Sequence, residues 1–197
     1  MKKRISLTPH GMVIAVLLAL ICLTGCRFHL LQVINPEGSY FDSNGVRIHY
    51  KVQGVGVPVI LVHGLGVNTG INFGLRGVPQ ILSKTHQVIT FDLRGHGRSD
   101  KPYETEHYGT EICEDIVRLM DHLEIEKAHV LGYSLGGFIV LKLAALHPDR
   151  LLSFAPCGAG WTPEPEKELG FFEELADDLE QGRGYGLLAE RLTPIGE

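Results

Sequence analysis

The stretch Ala128–Gly137, AHVLGYSLGG, decides how this chain folds. Ala128–Leu131 is a short apolar run of the kind that forms a strand. Gly132-Tyr133-Ser134-Leu135-Gly136 follows as G-x-S-x-G, and Leu135–Leu146 is then apolar nearly all round apart from Lys142. G-x-S-x-G alone carries little weight. Between a strand and a helix it describes a sharp, strained turn whose flanking glycines remove side chains that would clash across it. The expected helix, buried at the centre of the domain, points its first amide hydrogens at any negative charge developing beside Ser134. A serine there is a candidate nucleophile, provided that a base takes its proton and donors hold the resulting oxyanion.

Outward from this turn the chain alternates strand and helix. Val57–Val62, VPVILV, is a continuous apolar run, as a parallel strand buried on both faces requires. Residues 73–84 predict a helix, Gln87–Phe91 another strand, and a polar, Gly-rich loop runs on to about residue 107. Ile112, Ile116, Leu119, Met120 and Leu123 recur at helical spacing and mark one apolar stripe between Tyr108 and Leu123. Leu151–Ala155 is a further strand. Near the start, Tyr40–Tyr50 reads as two strands joined at Asn44-Gly45, a strong hairpin signal. A hairpin followed by alternating strands and helices predicts an α/β fold: a mostly parallel sheet, an N-terminal β-hairpin and helices on both faces.

Two loops beside the expected strand ends carry further chemistry. His63-Gly64-Leu65-Gly66 follows directly on the strand 57–62, where a backbone amide can join that of Leu135 in an oxyanion hole. A dinucleotide fingerprint fails by one residue, because the third glycine would fall on Thr69, and no acidic residue follows about 20 positions on. Asp92-Leu-Arg-Gly-His-Gly-Arg-Ser-Asp100 follows the strand 87–91. Asp92, His96 and Asp100 make a thin ligand set for a metal, so the expected structure is a tight loop held by Asp–Arg and backbone hydrogen bonds, with no metal.

H-G-x-G, then D-x-R-G-H-G-x-S-D, then G-Y-S-L-G-G, in this order and spacing, resemble the α/β-hydrolase superfamily from about residue 38 to 165. The resemblance implies Ser134 as nucleophile, with the amides of Leu65 and Leu135 as oxyanion-hole donors. It also implies a binding site lined by His63, Gly64, Gly66 and Tyr133. Ser rather than Asp at the elbow points away from dehalogenases and epoxide hydrolases and towards esterases, lipases and carbon–carbon bond hydrolases. The implied reaction is hydrolysis of a small-molecule ester or related acyl bond through an acyl-enzyme, without a cofactor. CGAGWTPEPE, followed by the acidic amphipathic stretch Phe171–Glu180, resembles the start of the family's lid.

The family's triad runs Ser, then Asp or Glu, then His. Here the last histidine is His147, about 20 Å from Ser134 along the helix at 1.5 Å per residue, and Asp149 is equally remote. Asp177 and Asp178 fall in the expected lid helix. His63 as base and Asp92 as acid are the upstream alternatives, although the role expected of His63 is to shape its loop. The expectation is therefore a chain that stops before its acid and base, leaving an open sheet edge and an incomplete triad. A non-catalytic binding protein and a non-functional truncated product are the competing readings.

At the N-terminus, Lys2-Lys3-Arg4 precedes the apolar run Met12–Leu23, and Leu23-Thr24-Gly25-Cys26 resembles the bacterial lipobox. The expectation is a leader at 1–25 and lipidation of Cys26, giving a lipoprotein secreted across the inner membrane and held on a membrane by its acyl chains. An ordinary cleaved signal or an uncleaved anchor are the alternatives, although the run is short for a spanning helix. A tether at 26–37, a core at 38–157 and the start of a lid at 158–197 complete the division. Loss of the leader shifts the formal net charge from −5 to −8. An acidic chain without a Lys/Arg cluster outside its extreme N-terminus argues against a nucleic-acid partner. Cys113 and Cys157 are expected to be buried thiols, and nothing in the sequence fixes an oligomeric state.

Overall fold

The computed structural model of the chain describes residues 36–160 together with Gln181. Residues 36–160 lie in the first of the two compact units into which the chain divides, Met1–Gly160. The leader, Cys26, most of the tether and the lid region from Trp161 onward lie outside the described residues.

Six strands form one sheet: β1 (Ser39–Ser43), β2 (Val46–Gln53), β3 (Val57–Val62), β4 (His86–Phe91), β5 (Ala128–Tyr133) and β6 (Leu151–Cys157). Their order is β1-β2-β4-β3-β5-β6. β1 pairs antiparallel with β2, and β2 with β4, whereas β4, β3, β5 and β6 run parallel to one another. The hairpin turns at Asn44 (φ 56°) and Gly45 (φ 83°), the positive angles that the Asn-Gly pair tolerates.

Parallel neighbours need crossovers, and helices supply them. Helices α1 (Thr69–Asn72) and α2 (Val78–Leu82) join β3 to β4, α3 (Glu111–His122) joins β4 to β5, and α4 (Leu135–Leu146) joins β5 to β6. Strand alternation divides the core between the two faces of the sheet. Ile60, Val62, Ile89, Phe91 and Val130 pack with Ile116 and Met120 of α3 and Ile139, Val140 and Leu143 of α4. Val59, Leu61 and Val88 pack on the other face with Phe73, Val78 and Leu82. Each such side chain contributes about 1.5–3 kcal/mol by leaving water.

Three expectations need correction. The helix expected at 73–84 is split: Asn68 caps α1 by accepting from the Ile71 amide, Gly74–Arg76 form a 3₁₀ turn, and Gly77 (φ 68°) breaks the chain before Pro79 restarts it. Helix α4 is not buried all round. Gly136, Gly137, Ile139, Val140 and Leu143 face the sheet and α3, whereas Lys142, Ala145 and Leu146 are exposed on the far side. Cys113 is a buried thiol and burial pushes its pKa up to about 11, but Cys157 is exposed, because among the described residues β6 is paired on the β5 side only.

A buried ion pair fastens the hairpin, the loop after β4 and α3 to one another. The fully buried Arg94 donates to Asp115 twice, Nε to Oδ2 at 2.8 Å and Nη2 to Oδ1 at 2.6 Å, and Nη1 donates to the His107 carbonyl. The Ser43 hydroxyl donates to the same Asp115 Oδ1 at 2.5 Å. Arg94→Met leaves the Asp115 carboxylate buried without its cation. The expected loss is about 3–5 kcal/mol of unfolding free energy in a urea titration at pH 7, most of it restored by Arg94→Met/Asp115→Leu. A loss below about 1 kcal/mol in the single variant would show that the pair is not what holds these elements together.

Candidate active site at the strand ends

The sheet order places β3 between β4 and β5, all parallel, so the loops that leave their C-terminal ends meet on one edge of the sheet. This is where open α/β sheets hold ligands. The loops are His63–Gly66, Asp92–Asp100 and the turn at Ser134.

Ser134 joins β5 to α4 with φ 53° and ψ −117°, a conformation that costs a non-glycine residue about 1–3 kcal/mol. Packing on both sides imposes it. A Cβ on Gly132 would lie 2.0 Å from the Gly136 carbonyl oxygen, and a Cβ on Gly136 would lie 2.2 Å from that of Val62. The first turn of α4 thus lies against the end of β3, and only glycines fit at the crossing. The Ser134 amide donates to the Cys157 carbonyl at 2.8 Å, and its carbonyl accepts from the amides of Gly137 and Phe138. Its hydroxyl hydrogen-bonds to no side chain among the described residues.

The His63–Gly66 loop passes close beside this turn. A Cβ on Gly64 would lie 3.4 Å from the Ser134 Cβ. The Gly64 amide donates to Asn72 Oδ1 at 2.8 Å and the Gly66 amide to His96 Nε2 at 3.3 Å. Between them, the Leu65 amide has no acceptor among the described residues, and neither has the Leu135 amide that opens α4. The structure therefore sets Ser134 at the start of α4 and next to the His63–Gly66 loop, with the Leu65 and Leu135 amides both without an acceptor among the described residues.

His63 is fully buried, and both ring nitrogens are committed. Nδ1 donates to the Gly64 carbonyl at 2.8 Å, and Nε2 accepts from the Leu93 amide at 3.0 Å. Such an imidazole shapes the loop and has no lone pair left for Ser134. Asp92 is committed too. Its carboxylate takes the amides of Thr69 (3.1 Å) and Arg98 (2.9 Å) and pairs with His49 Nδ1 at 3.2 Å. Burial opposes its ionisation, but the bonds from His49, Arg98 and Thr69 outweigh burial and hold the carboxyl below its ordinary value. His147 pairs with Glu114 at 2.9 Å at the far end of α4.

Asp92, His96 and Asp100 point to separate partners, Asp100 meeting Arg47 at 3.7 Å. The loop is held by backbone bonds and by Asp–Arg contacts as expected, Asp92 taking the Arg98 amide and Asp100 meeting Arg47, while Arg94 reaches out to Asp115 on α3. A cavity of about 410 Å³ opens beside the elbow: Phe73, Val78 and Leu131 give it apolar walls, and Asn72, Arg76, Tyr133 and Cys157 supply its polar atoms. Of the four residues expected to line the binding site, Tyr133 faces this cavity, whereas His63, Gly64 and Gly66 do not line it. Asn72 and His49 had no role in the sequence reading, and His96 was weighed there only as part of a thin metal-ligand set. A lone polar residue in a helix, a strand or a loop carries no periodic signal, and its partner is set only by the fold.

Burial holds the His63 pKa down to about 4 from 6.5, against the opposing effect of the Gly64 bond. The unfolded chain therefore binds a proton that the folded chain refuses between those values. Stability from this group is fully present above pH 6.5 and is lost as pH falls through 4, by up to about 3 kcal/mol. Urea midpoints measured from pH 7 to 4.5 should fall, and the fall should be shallower in His63→Gln. Equal slopes in both would refute the buried neutral imidazole.

Comparison with known proteins gives the family. A family model described as alpha/beta hydrolase fold matches residues 57–191. The chain is 32% identical over 135 residues to the 2-hydroxymuconate semialdehyde hydrolase of Pseudomonas sp. strain CF600, a match covering 68% of this chain and 48% of that protein. It is 31% identical over 121 residues to bifunctional epoxide hydrolase 2 of Sus scrofa, covering 60% of this chain and 21% of the relative. Among solved structures, the enol-lactonase from Burkholderia xenovorans LB400 superposes with a TM-score of 0.53 at 32% identity, covering 60% of this chain and 46% of that one. The chain spans less than half the length of each of these relatives. A sheet of this order and a family model that covers most of the chain agree: this chain belongs to the α/β-hydrolase family.

Proposed function

We propose that the protein is a serine hydrolase that cleaves an ester or related acyl bond of a small molecule. One observation carries the reading: among the described residues, a strained serine with an unengaged hydroxyl lies next to a loop and a helix start whose Leu65 and Leu135 amides have no acceptor. In the reaction a base takes the hydroxyl proton while Oγ bonds to the acyl carbon. The carbonyl oxygen, now negative, is held by the amides of Leu65 and Leu135. The leaving alcohol departs with a proton, and water hydrolyses the acyl-serine, restoring the hydroxyl. No cofactor takes part in these steps. A lactone is a cyclic ester, so likeness to an enol-lactonase supports this bond class, and a serine at the elbow is the residue that acyl transfer needs.

The acid and base of the triad are proposed to lie outside the described residues, because His63, Asp92 and His147 are all engaged elsewhere. These 197 residues hold no histidine after His147. The chain by itself should therefore turn over p-nitrophenyl acetate only at the low level an oxyanion hole sustains without a base. Imidazole added as an external base should raise turnover saturably above its own background, and Ser134→Ala should remove that increment. An increment that survives Ser134→Ala would overturn the nucleophile assignment. The lack of an uncommitted base near Ser134 among the described residues also favours a second reading, a non-catalytic binding protein, and the absence of any increment would support it.

The leader supports a second proposal, that Cys26 is lipidated and tethers the protein to a bacterial membrane after secretion. The support is the basic start, the apolar run and the Leu23-Thr24-Gly25-Cys26 sequence. Radiolabelled palmitate should be incorporated into the protein and membrane fractions should retain it. Cys26→Ala should lose both, and unchanged labelling would refute the tether.

A further inference from the structure

Two loops from different strands meet through one side chain that the reaction scheme above does not use. His96 lies in the loop after β4, and its Nε2 accepts the Gly66 amide at 3.3 Å. Its Nδ1 donates to the Arg94 carbonyl at 3.1 Å, so the two bonds together select the tautomer with the proton on Nδ1. The ring also stands edge-on to that of His63, centroids 5.3 Å apart, and His63 in turn is bonded to the Gly64 carbonyl and the Leu93 amide. At the other end of the chain of contacts, the Arg94 side chain is anchored by two bonds to the buried Asp115.

We propose that His96 is a positioning residue that sets the Leu65 amide, through its bond to Gly66, at the place where the oxyanion forms. Leu65 sits between two amides that are each tied down, Gly64 to Asn72 and Gly66 to His96. A peptide plane between two fixed neighbours has little freedom to rotate. The Leu65 N–H shares its peptide plane with the Gly64 carbonyl, which His63 holds; without the Gly66 bond that plane is fixed from the His63 side alone, and the Leu65 N–H can tilt away from Ser134. The anchor is rigid because Arg94 belongs to the buried ion pair, so the loop is referenced to α3 and not to solvent. A donor that is already aimed needs no reorganisation as charge develops, which is why the bond matters to the transition state and not to substrate binding.

This inference rests on the proposed roles of Ser134 and Leu65, but its first readout is independent of activity. In the full wild-type chain, nitrogen NMR should show Nε2 of His96 unprotonated, and a proton on Nε2 would overturn the contact. His96→Phe keeps a ring against His63 and removes the acceptor. It should move the amide proton of Gly66 upfield, speed its exchange at least about tenfold and shift the neighbouring Leu65 amide signal, and His96→Gln, with an acceptor of similar reach, should restore all three. In the imidazole-stimulated assay, His96→Phe should lower kcat about tenfold with KM unchanged, below the hundredfold or more typical of losing an oxyanion donor outright. Amide signals unchanged in His96→Phe, or moved amides with unchanged Ser134-dependent kcat, would overturn the positioning role. If Ser134→Ala retains the increment, the hydrolase reading fails by itself, and the Leu65 signal still decides whether His96 holds the loop.

Discussion

The contact on which the site depends is the one between the first turn of α4 and the end of β3. At Gly136 the two backbones approach so closely that a single methyl group would penetrate the Val62 carbonyl. With α4 pressed there, the chain leaving β5 has no room for an ordinary turn, and Ser134 is forced into positive φ. The strain is local, and its cost is met by the apolar packing of α4 and α3 on the sheet. The strained placement of the half-buried serine is thus a by-product of helix–strand packing.

From that contact the rest of the site follows as a set of ties between loops. His63 bonds across to the Leu93 amide, Asp92 bonds back to the Thr69 amide, and His96 takes the Gly66 amide. Each tie crosses between the ends of β3 and β4, and each joins an imidazole or carboxylate to a backbone amide. Side chains of this kind buried among strand ends are affordable only when all their hydrogen-bonding atoms are used, and most are. The exceptions among the described residues are His49 Nε2 and Thr69 Oγ1, both beside Asp92.

Much of this architecture was legible in the sequence because it is written in periodicity and turn chemistry. The runs VPVILV and AHVL are strands since continuous apolar residues suit two covered faces, and Asn44-Gly45 suits only a tight hairpin. G-x-S-x-G could be placed because its flanks were legible too. What the sequence does not display is pairing at a distance. Asp115 lies on the apolar face of α3, where a carboxylate looks like an interruption until Arg94 is brought to it. Similarly, the helix at 73–84 fails because Gly74, Gly77 and Pro79 outweigh its apolar spacing. Cys157 was expected to be a buried thiol, yet its exposure follows from β6 being the outer strand among the described residues, and that is a property of topology.

The bond from the Ser134 amide to the Cys157 carbonyl links the elbow to β6. Among the described residues β6 has one paired side, with Leu152 and Phe154 about half exposed. Outer strands open locally at lower free energy than central ones. Ser134 is therefore clamped on one side by the central strand β3 and on the other, among the described residues, by an outer strand. Local opening of β6 would release the Ser134 amide, so anything that adds hydrogen bonds along that strand would also sharpen the conformation of a serine on another element.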